Sequence, residues 1–322
     1  MNTRNAMRVY GCGGAGINIT SYFDRDDQSS GPFAIIKPAF IDTSHSNLRG
    51  SVSEDKTYIL PDMDGSGKIR KENHAQISNV IKQVLLQHKP EDFNVVVFSA
   101  SGGSGSVIGP LIISELLERD LPVVAVVVGS DEGTITTQNT LNTLKSLEAI
   151  SHKVDRPVVM HYAHNDRRGR RTDVDQTLHY VIGALSVLAS GQIREMDTRD
   201  IVNWLMFNKT TSVAPSLAAL QVFNDPADVG SIKDPLSVAS VLASPDEEGI
   251  EAVPEYCCVG YAEIGLEGVR NFHMVISTDE VDLIVSNLKK TMTSLDEVRD
   301  SRVQKKSIVD VNDNVGDDGL VL

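Results

Sequence analysis

Residues 94–112 read NVVVFSASGGSGSVIGPLI: an aliphatic run breaks into Ala100-Ser101-Gly102-Gly103-Ser104-Gly105-Ser106, and apolar residues resume at Val107, Ile108, Leu111 and Ile112. The first run has the length of a buried strand, and the later spacing is that of a helix. A glycine and serine turn between them exposes backbone N–H groups, and the start of the helix adds partial positive charge. The segment therefore predicts an anion site. Gly11-Cys12-Gly13-Gly14-Ala15-Gly16 repeats the arrangement after an apparent first strand. Taken alone, G-x-G-x-x-G also fits a dinucleotide-binding turn, with Asp42 standing where an NAD-dependent Rossmann oxidoreductase would hold a ribose. A dinucleotide needs one such loop, whereas a triphosphate held without a lysine benefits from two. The chain has no G-x-x-x-x-G-K-[ST], which excludes a P-loop enzyme.

Around these loops the first half of the chain alternates aliphatic runs with amphipathic stretches. Strands are expected at 8–10, 38–41, 94–99, 123–128 and 157–162, and helices at about 72–88, 104–118, 136–152 and 174–192. Continuous apolar strands separated by helices indicate a parallel sheet covered on both faces, with ligands beyond the carboxyl ends of the strands. After about residue 197 the pattern changes to short strand-like pieces at 217–223, 256–264 and 272–276 with turn-rich spacers, which reads as a smaller α+β domain. Ser277-Thr278-Asp279-Glu280 is a capping-box start. Val281, Ile284, Val285, Leu288, Met292, Leu295 and Val298 follow at helical spacing, predicting a long helix to about 306. The expected organisation is 1–172 nucleotide-binding domain, 173–196 central helix, 197–278 α+β domain, 279–306 long helix and 307–322 acidic tail.

The chain has 322 residues and a formal net charge of −14, which argues against a direct nucleic-acid-binding role. The three cysteines, Cys12, Cys257 and Cys258, are odd in number and two are adjacent, so they make no disulfide framework, and no His/Cys spacing suggests zinc. The N-terminus lacks a signal-peptide pattern, and the aliphatic runs are too short to span a bilayer. A cytoplasmic protein with no membrane partner is expected.

The stretch 101–106, SGGSGS, resembles the glycine-rich tubulin signature, GGGTG[ST]G in its usual form. Ser101 replaces the first Gly, and Ser104 replaces the Thr while keeping its hydroxyl. The stretch 11–16 resembles the first phosphate loop of FtsZ and tubulin. The likeness extends through the loop of Asn165, the run Arg194-Glu195-Met196-Asp197-Thr198-Arg199-Asp200 followed by Val202-Asn203-Trp204, the long last helix and the DNVGDDG tail. Nearly end to end, the sequence resembles the tubulin-like proteins of large bacteriophages within the tubulin/FtsZ superfamily.

That resemblance implies an α/β fold in which a central helix joins a parallel-sheet nucleotide-binding domain to a smaller α+β domain. It also implies a GTPase that polymerises head to tail, with GTP/GDP as nucleotide and Mg²⁺ carried mainly by the phosphates. Gly13, Gly14, Ala15, Asn18, Asp42, Ser101, Gly102, Gly103, Ser104, Gly105 and Ser106 would line the phosphates and ribose. Thr43 and Asn47 lie near Asp42, and Asp131 and Glu132 fall on a loop expected near the ribose. Asn165 and Asp175, with Asp173 the alternative, would read guanine through N1–H and N2–H₂, groups that adenine lacks. Asp197 and Asp200 would complete the next subunit's site and polarise the attacking water. The plainer reading of Asp197 is a helix cap, and the two roles are compatible. The acidic tail 310–322 would dock on a neighbour's basic surface, for which Arg167, Arg168, Arg170, Arg171, Lys68, Arg70 and Lys71 are available. The implied cellular role is a filament or spindle centring viral DNA in the infected bacterium. The alternatives are the NAD enzyme and a nucleotide-binding filament protein without hydrolysis.

Overall fold

The computed structural model describes residues 4–24, 32–48, 52–166, 169–251, 254–262 and 269–303, without the side chains of 71–73, 302 and 303. Arg167, Arg168, the side chain of Lys71, residues 263–264 of the expected strand, 304–306 of the expected helix and the acidic tail lie outside the described residues.

The chain alternates strand and helix through its first half. β1 (Ala6–Cys12) runs without a loop into α1 (Gly13–Thr20); β2 (Ile35–Asp42) and β3 (Thr57–Ile59) follow, then α2 (Arg70–Gln87). Next come β4 (Phe93–Ser99), α3 (Gly105–Glu118), β5 (Val123–Ser130), α4 (Thr134–Val154), β6 (Val158–Asn165) and α5 (Arg171–Leu188). The second half holds β7 (Ile193–Arg194), α6 (Thr198–Leu205), β8 (Leu217–Phe223), α7 (Pro226–Val229), β9 (Ser237–Leu242), β10 (Tyr256–Ala262), β11 (Phe272–Ser277) and α8 (Asp279–Val303).

All strands join one sheet, in the order β3-β2-β1-β4-β5-β6-β8-β11-β9-β10-β7. The pairs from β3 to β8 are parallel, and β11 turns the sheet antiparallel. The sheet therefore crosses the boundary expected near residue 197, through the parallel pairing of β6 with β8. Strand alternation explains why both faces are dry. Val124, Val126 and Val128 of β5 join the core under α5, while Val123, Ala125 and Val127 join the core under α3, α4 and α8. Each such valine contributes roughly 1.5–3 kcal/mol by leaving water.

α5 starts earlier and stops sooner than the expected 174–192. Gly191, at φ +70°, turns the chain out of the helix. The carboxyl ends of β1, β2, β4, β5 and β6 lie at one edge of the sheet: Cys12 aligns with Ile41 and Phe98, Ser99 with Val128, and Ser130 with Asn165. That edge carries both glycine loops.

Candidate functional site

The two loops touch. Gly13 has φ +70°, and a Cβ built on it would lie 2.8 Å from the Gly105 amide nitrogen; one built on Gly105 would lie 2.6 Å from the Cys12 carbonyl oxygen. Neither position admits a side chain, and backbone runs against backbone at the starts of α1 and α3. Gly14 and Ala15 are half-buried in the first turn of α1. In the second loop Ser101 bonds Ser99 through its hydroxyl at 2.9 Å, and its carbonyl accepts from Asn139 of α4 at 3.2 Å. Ser106 is fully buried and donates to the carbonyls of Gly102, at 2.6 Å, and Gly103. Its hydroxyl holds the shape of the loop from within.

A segment read from the sequence only for the charge of Lys68 completes this wall. Asp64-Gly65-Ser66-Gly67-Lys68 lies on the second loop. Ser104 Oγ donates to Ser66 Oγ at 3.0 Å and shares a 2.7 Å hydrogen bond with Thr43 Oγ1. A Cβ on Gly103 would collide with the Ser66 side chain and lie 2.9 Å from Lys68 Cα. Lys68 itself holds a left-handed backbone, φ +63°, and its carbonyl accepts from Asn139 Nδ2 at 3.0 Å. A non-glycine residue there costs about 1 kcal/mol or more. The GSGK spacing in a turn-rich stretch was the available signal.

Asp42 ends β2 at 1% exposure, and its neighbours occupy both carboxylate oxygens. Oδ1 accepts the Thr43 N–H at 2.7 Å, and Oδ2 accepts Asn47 Nδ2 at 2.7 Å. Asn47 in turn lies against Gly14. Asp42 thus orients Thr43, whose hydroxyl meets Ser104, and Asn47, which lies against Gly14.

Asn18 and Asp175 meet between α1 and α5. Asn18, exposed on α1, donates to Asp175 Oδ2 on α5 at 3.1 Å. Burial raises the Asp175 carboxyl pKa, opposed by His179 and Arg171. Asn165 ends β6, and its buried Oδ1 has no partner among the described residues. An unpaired buried acceptor costs about 1–3 kcal/mol, a penalty that a ligand N–H would remove. Asp173, by contrast, is an exposed first-turn residue of α5. Asp131, expected near the ribose, is ion-paired with His164 at 3.2 Å and accepts from Thr291 of α8 at 3.4 Å. Glu132 pairs with Arg171 at 3.0 Å, and Arg70 donates to the Ser106 carbonyl at 3.1 Å. Both arginines, counted above as free basic surface, are engaged within the chain.

Asp197 and Asp200 lie beyond the far end of α5. Asp197 Oδ1 accepts the N–H groups of Arg199 at 2.7 Å and Asp200 at 3.1 Å. Asp200 Oδ2 accepts the Asp197 N–H at 2.9 Å, and Tyr256 donates to Asp200 Oδ1 at 3.2 Å. This is a reciprocal capping box, so the cap reading of Asp197 holds for this chain. α5 has 18 residues and spans roughly 27 Å, separating this turn from the glycine loops of its own chain.

Among the described residues no group of three or more His, Cys, Asp or Glu is placed to hold a metal ion. In the same residues no helix is long and apolar enough to cross a membrane.

Residues 196–281 match the family model described as phage tubulin-like protein, C-terminal domain. The chain is 30% identical over 318 residues to a phage tubulin-like protein of Pseudomonas phage PhiPA3, covering 98% of each chain. It superposes with TM-score 0.87 on a TubZ protofilament subunit from bacteriophage PhiKZ, at 30% identity and with 98% and 99% of the two chains covered. It superposes equally well, TM-score 0.87 at 25% identity with the same coverage, on the phage tubulin PhuZ bound to GDP.

Proposed function

Since this chain belongs to the phage tubulin-like protein family, we propose that it binds GTP across the two glycine loops and hydrolyses it within a head-to-tail filament. The observation that carries this reading is the backbone contact of Gly13 with Gly105, which makes the two helix starts one cradle at the sheet edge. The hydroxyls of Thr43, Ser66 and Ser104 line the same cradle, and the backbone of Lys68 packs against Gly103. Guanine is read by Asn165 Oδ1, which has no partner among the described residues, together with Asp175.

Mg²⁺ carried on the phosphates supplies charge neutralisation, and the hydroxyls of Thr43, Ser66 and Ser104 are the residues that would face it. Because α5 holds Asp197 and Asp200 away from their own cradle, their carboxylates act on the nucleotide of the adjoining subunit. There they orient water toward the γ-phosphate. The PhiKZ relative was solved as a protofilament and PhuZ with GDP, which supports both the assembly and the nucleotide. The acidic stretch 310–322 docks on a basic surface of the neighbouring subunit, and the filament serves as a spindle positioning phage DNA in the bacterial cytoplasm.

A shared site makes turnover cooperative in protein. Phosphate release per subunit should rise steeply with protein concentration and level off above the polymerisation threshold seen by light scattering. A rate per subunit that is constant from the lowest concentration upward would defeat the shared-site reading. Deleting 310–322 should raise that threshold and leave GTP binding intact; an unchanged threshold removes the tail from the assembly.

A further inference from the structure

Asp197 and Asp200 share a turn but are not held alike. Among the described residues, the Asp197 carboxylate accepts backbone N–H groups of its own turn, from Arg199 and Asp200. Asp200 sets its Oδ2 on the Asp197 N–H, and its Oδ1 takes the hydroxyl of Tyr256, 56 residues along the chain, at 3.2 Å. Tyr256 opens β10, a strand that packs against α6 and pairs with β9 through Ser237. Ser237 in turn donates to the Trp204 carbonyl near the end of α6, at 2.8 Å. The phenol therefore comes from a sheet already tied to that helix.

The Tyr256 ring packs against the main core, a role that phenylalanine would fill equally well. What the hydroxyl adds lies on α6. Its partners among the described residues are the Asp200 carboxylate, the Asp200 carbonyl at 3.4 Å and the side chain of Asn203, one turn further on. Asp200 and Asn203 stand at i, i+3 spacing, so both reach the phenol from one side of the helix. Burial raises the phenol pKa to about 12 against the pull of the Asn203 hydrogen bond, so the group keeps its proton and serves as a donor rather than a base.

We infer that Tyr256 is a positioning residue for GTP hydrolysis: its hydroxyl fixes the Asp200 carboxylate in the pose presented to the adjoining subunit's nucleotide. The inference rests on the role proposed above for Asp200. A carboxylate anchored at one oxygen can still swing about its side-chain bonds. A second anchor, from another element, removes that freedom, and rates fall steeply with small misplacements of a reacting group. Tyr256 acts through Asp200 and has no nucleotide contact of its own to make.

The test compares the full chain with Tyr256→Phe, which removes the hydroxyl and keeps the ring, above the polymerisation threshold. Maximal phosphate release per subunit should fall about tenfold, while KM, GTP affinity, the threshold and the thermal midpoint stay near wild type. Tyr261→Phe is the matched control, since Tyr261, also on β10, gives its hydroxyl to Glu195 at 3.4 Å. Turnover at the wild-type level is expected there. An equal loss would mean that seating of the whole loop is at stake, and overturns the proposal. A double-mutant cycle with Asp200→Asn completes the test. With the charge gone, removing the hydroxyl should cost nothing further. Equal loss in both backgrounds overturns the proposal, as does wild-type turnover in folded Tyr256→Phe. If that variant does not fold, Asn203→Ala replaces it: the phenol stays but loses its other partner, and turnover should fall in the same sense, with a wild-type rate overturning the proposal. The Asp200→Asn single variant separates the two possible failures. Reduced turnover there, beside a wild-type rate in Tyr256→Phe, removes Tyr256 alone; a wild-type rate there removes Asp200 and Tyr256 together.

Discussion

The two ends of α5 hold carboxylates in opposite circumstances. At its start, Asp175 is partly desolvated and takes one hydrogen bond from Asn18, while the buried Asn165 oxygen at the end of β6 has no partner among the described residues. Its hydrogen-bonding capacity is incompletely used inside the chain. Beyond its end, Asp197 and Asp200 spend theirs on each other's backbone and on Tyr256. The first arrangement is a receptor for something the chain does not contain. The second is a self-sufficient turn whose remaining lone pairs and negative charge point outward. A carboxylate rigidly held by its own capping box is preorganised, so presenting it to another subunit costs little further ordering.

The sharpest challenge to this contrast is Asp200→Asn. An amide oxygen still accepts the Asp197 N–H and preserves the box, while the charge is lost. If Asp200 acts on the neighbour's nucleotide, GTP turnover falls by about 10²–10⁴-fold, the usual range for a general acid or base group. Affinity for GTP and thermal stability stay near wild type. A variant that turns over GTP normally reduces Asp200 to a cap. Loss of fold together with activity, restored by no conservative replacement, would point the same way.

At the other end the cradle itself can be pried apart. Gly13→Ala places a Cβ 2.8 Å from the Gly105 nitrogen in a left-handed backbone. Strain of about 1–2 kcal/mol adds to the displacement of the second loop. Binding of a fluorescent GTP analogue should weaken by about one to two orders of magnitude, since 1.4 kcal/mol is tenfold. Gly133→Ala, where the added methyl meets nothing within 4 Å, is the matched control. Equal affinity in both variants would show that the loop contact does not hold the nucleotide.

Sequence made the first end more legible than the second half of the fold. The strand leading into the second glycine loop carries the aliphatic run Val95-Val96-Val97, and the first glycine loop declares itself by its four glycines. β8, a largely apolar run closed by Asn224-Asp225-Pro226, is found at 217–223, as expected. β9, Ser237–Leu242, escaped because SVASVL breaks its apolar run with Ser237 and Ser240, which are buried all the same; the Ser240 hydroxyl meets buried His273 at 2.9 Å. Only tertiary pairing makes that pattern a strand. Within the site, backbone glycines were readable because their chemistry is local. The Ser66 and Lys68 contacts were not, since they arise from a loop folding back onto a strand end far from it in sequence. The inward turn of Asp131 toward α8 has the same cause. For Asp197, cap and catalytic carboxylate make the same demand on sequence, so spacing alone could not separate them.

The smallest effect concerns protons at Asp175. Burial raises its carboxyl pKa above the ordinary aspartate value, with His179 and Arg171 pulling the other way. Only the ionised form accepts hydrogen bonds through both oxygens, so guanine recognition should fade as pH falls through that raised value. The sign for folding is the reverse. Burial penalises the charged form, so stability attributable to this group is lower above its folded pKa and is recovered on protonation. Nucleotide affinity and chain stability should therefore respond in opposite directions to mild acidification at this one residue. GTP titrations from pH 7 down toward the acid limit of the fold should lose affinity by about tenfold at most. Asp175→Asn, which cannot ionise, should flatten the slope and start from the weakened level. If the Asn variant keeps the wild-type pH dependence, the titrating group is elsewhere, and Asn165 carries the base recognition without Asp175.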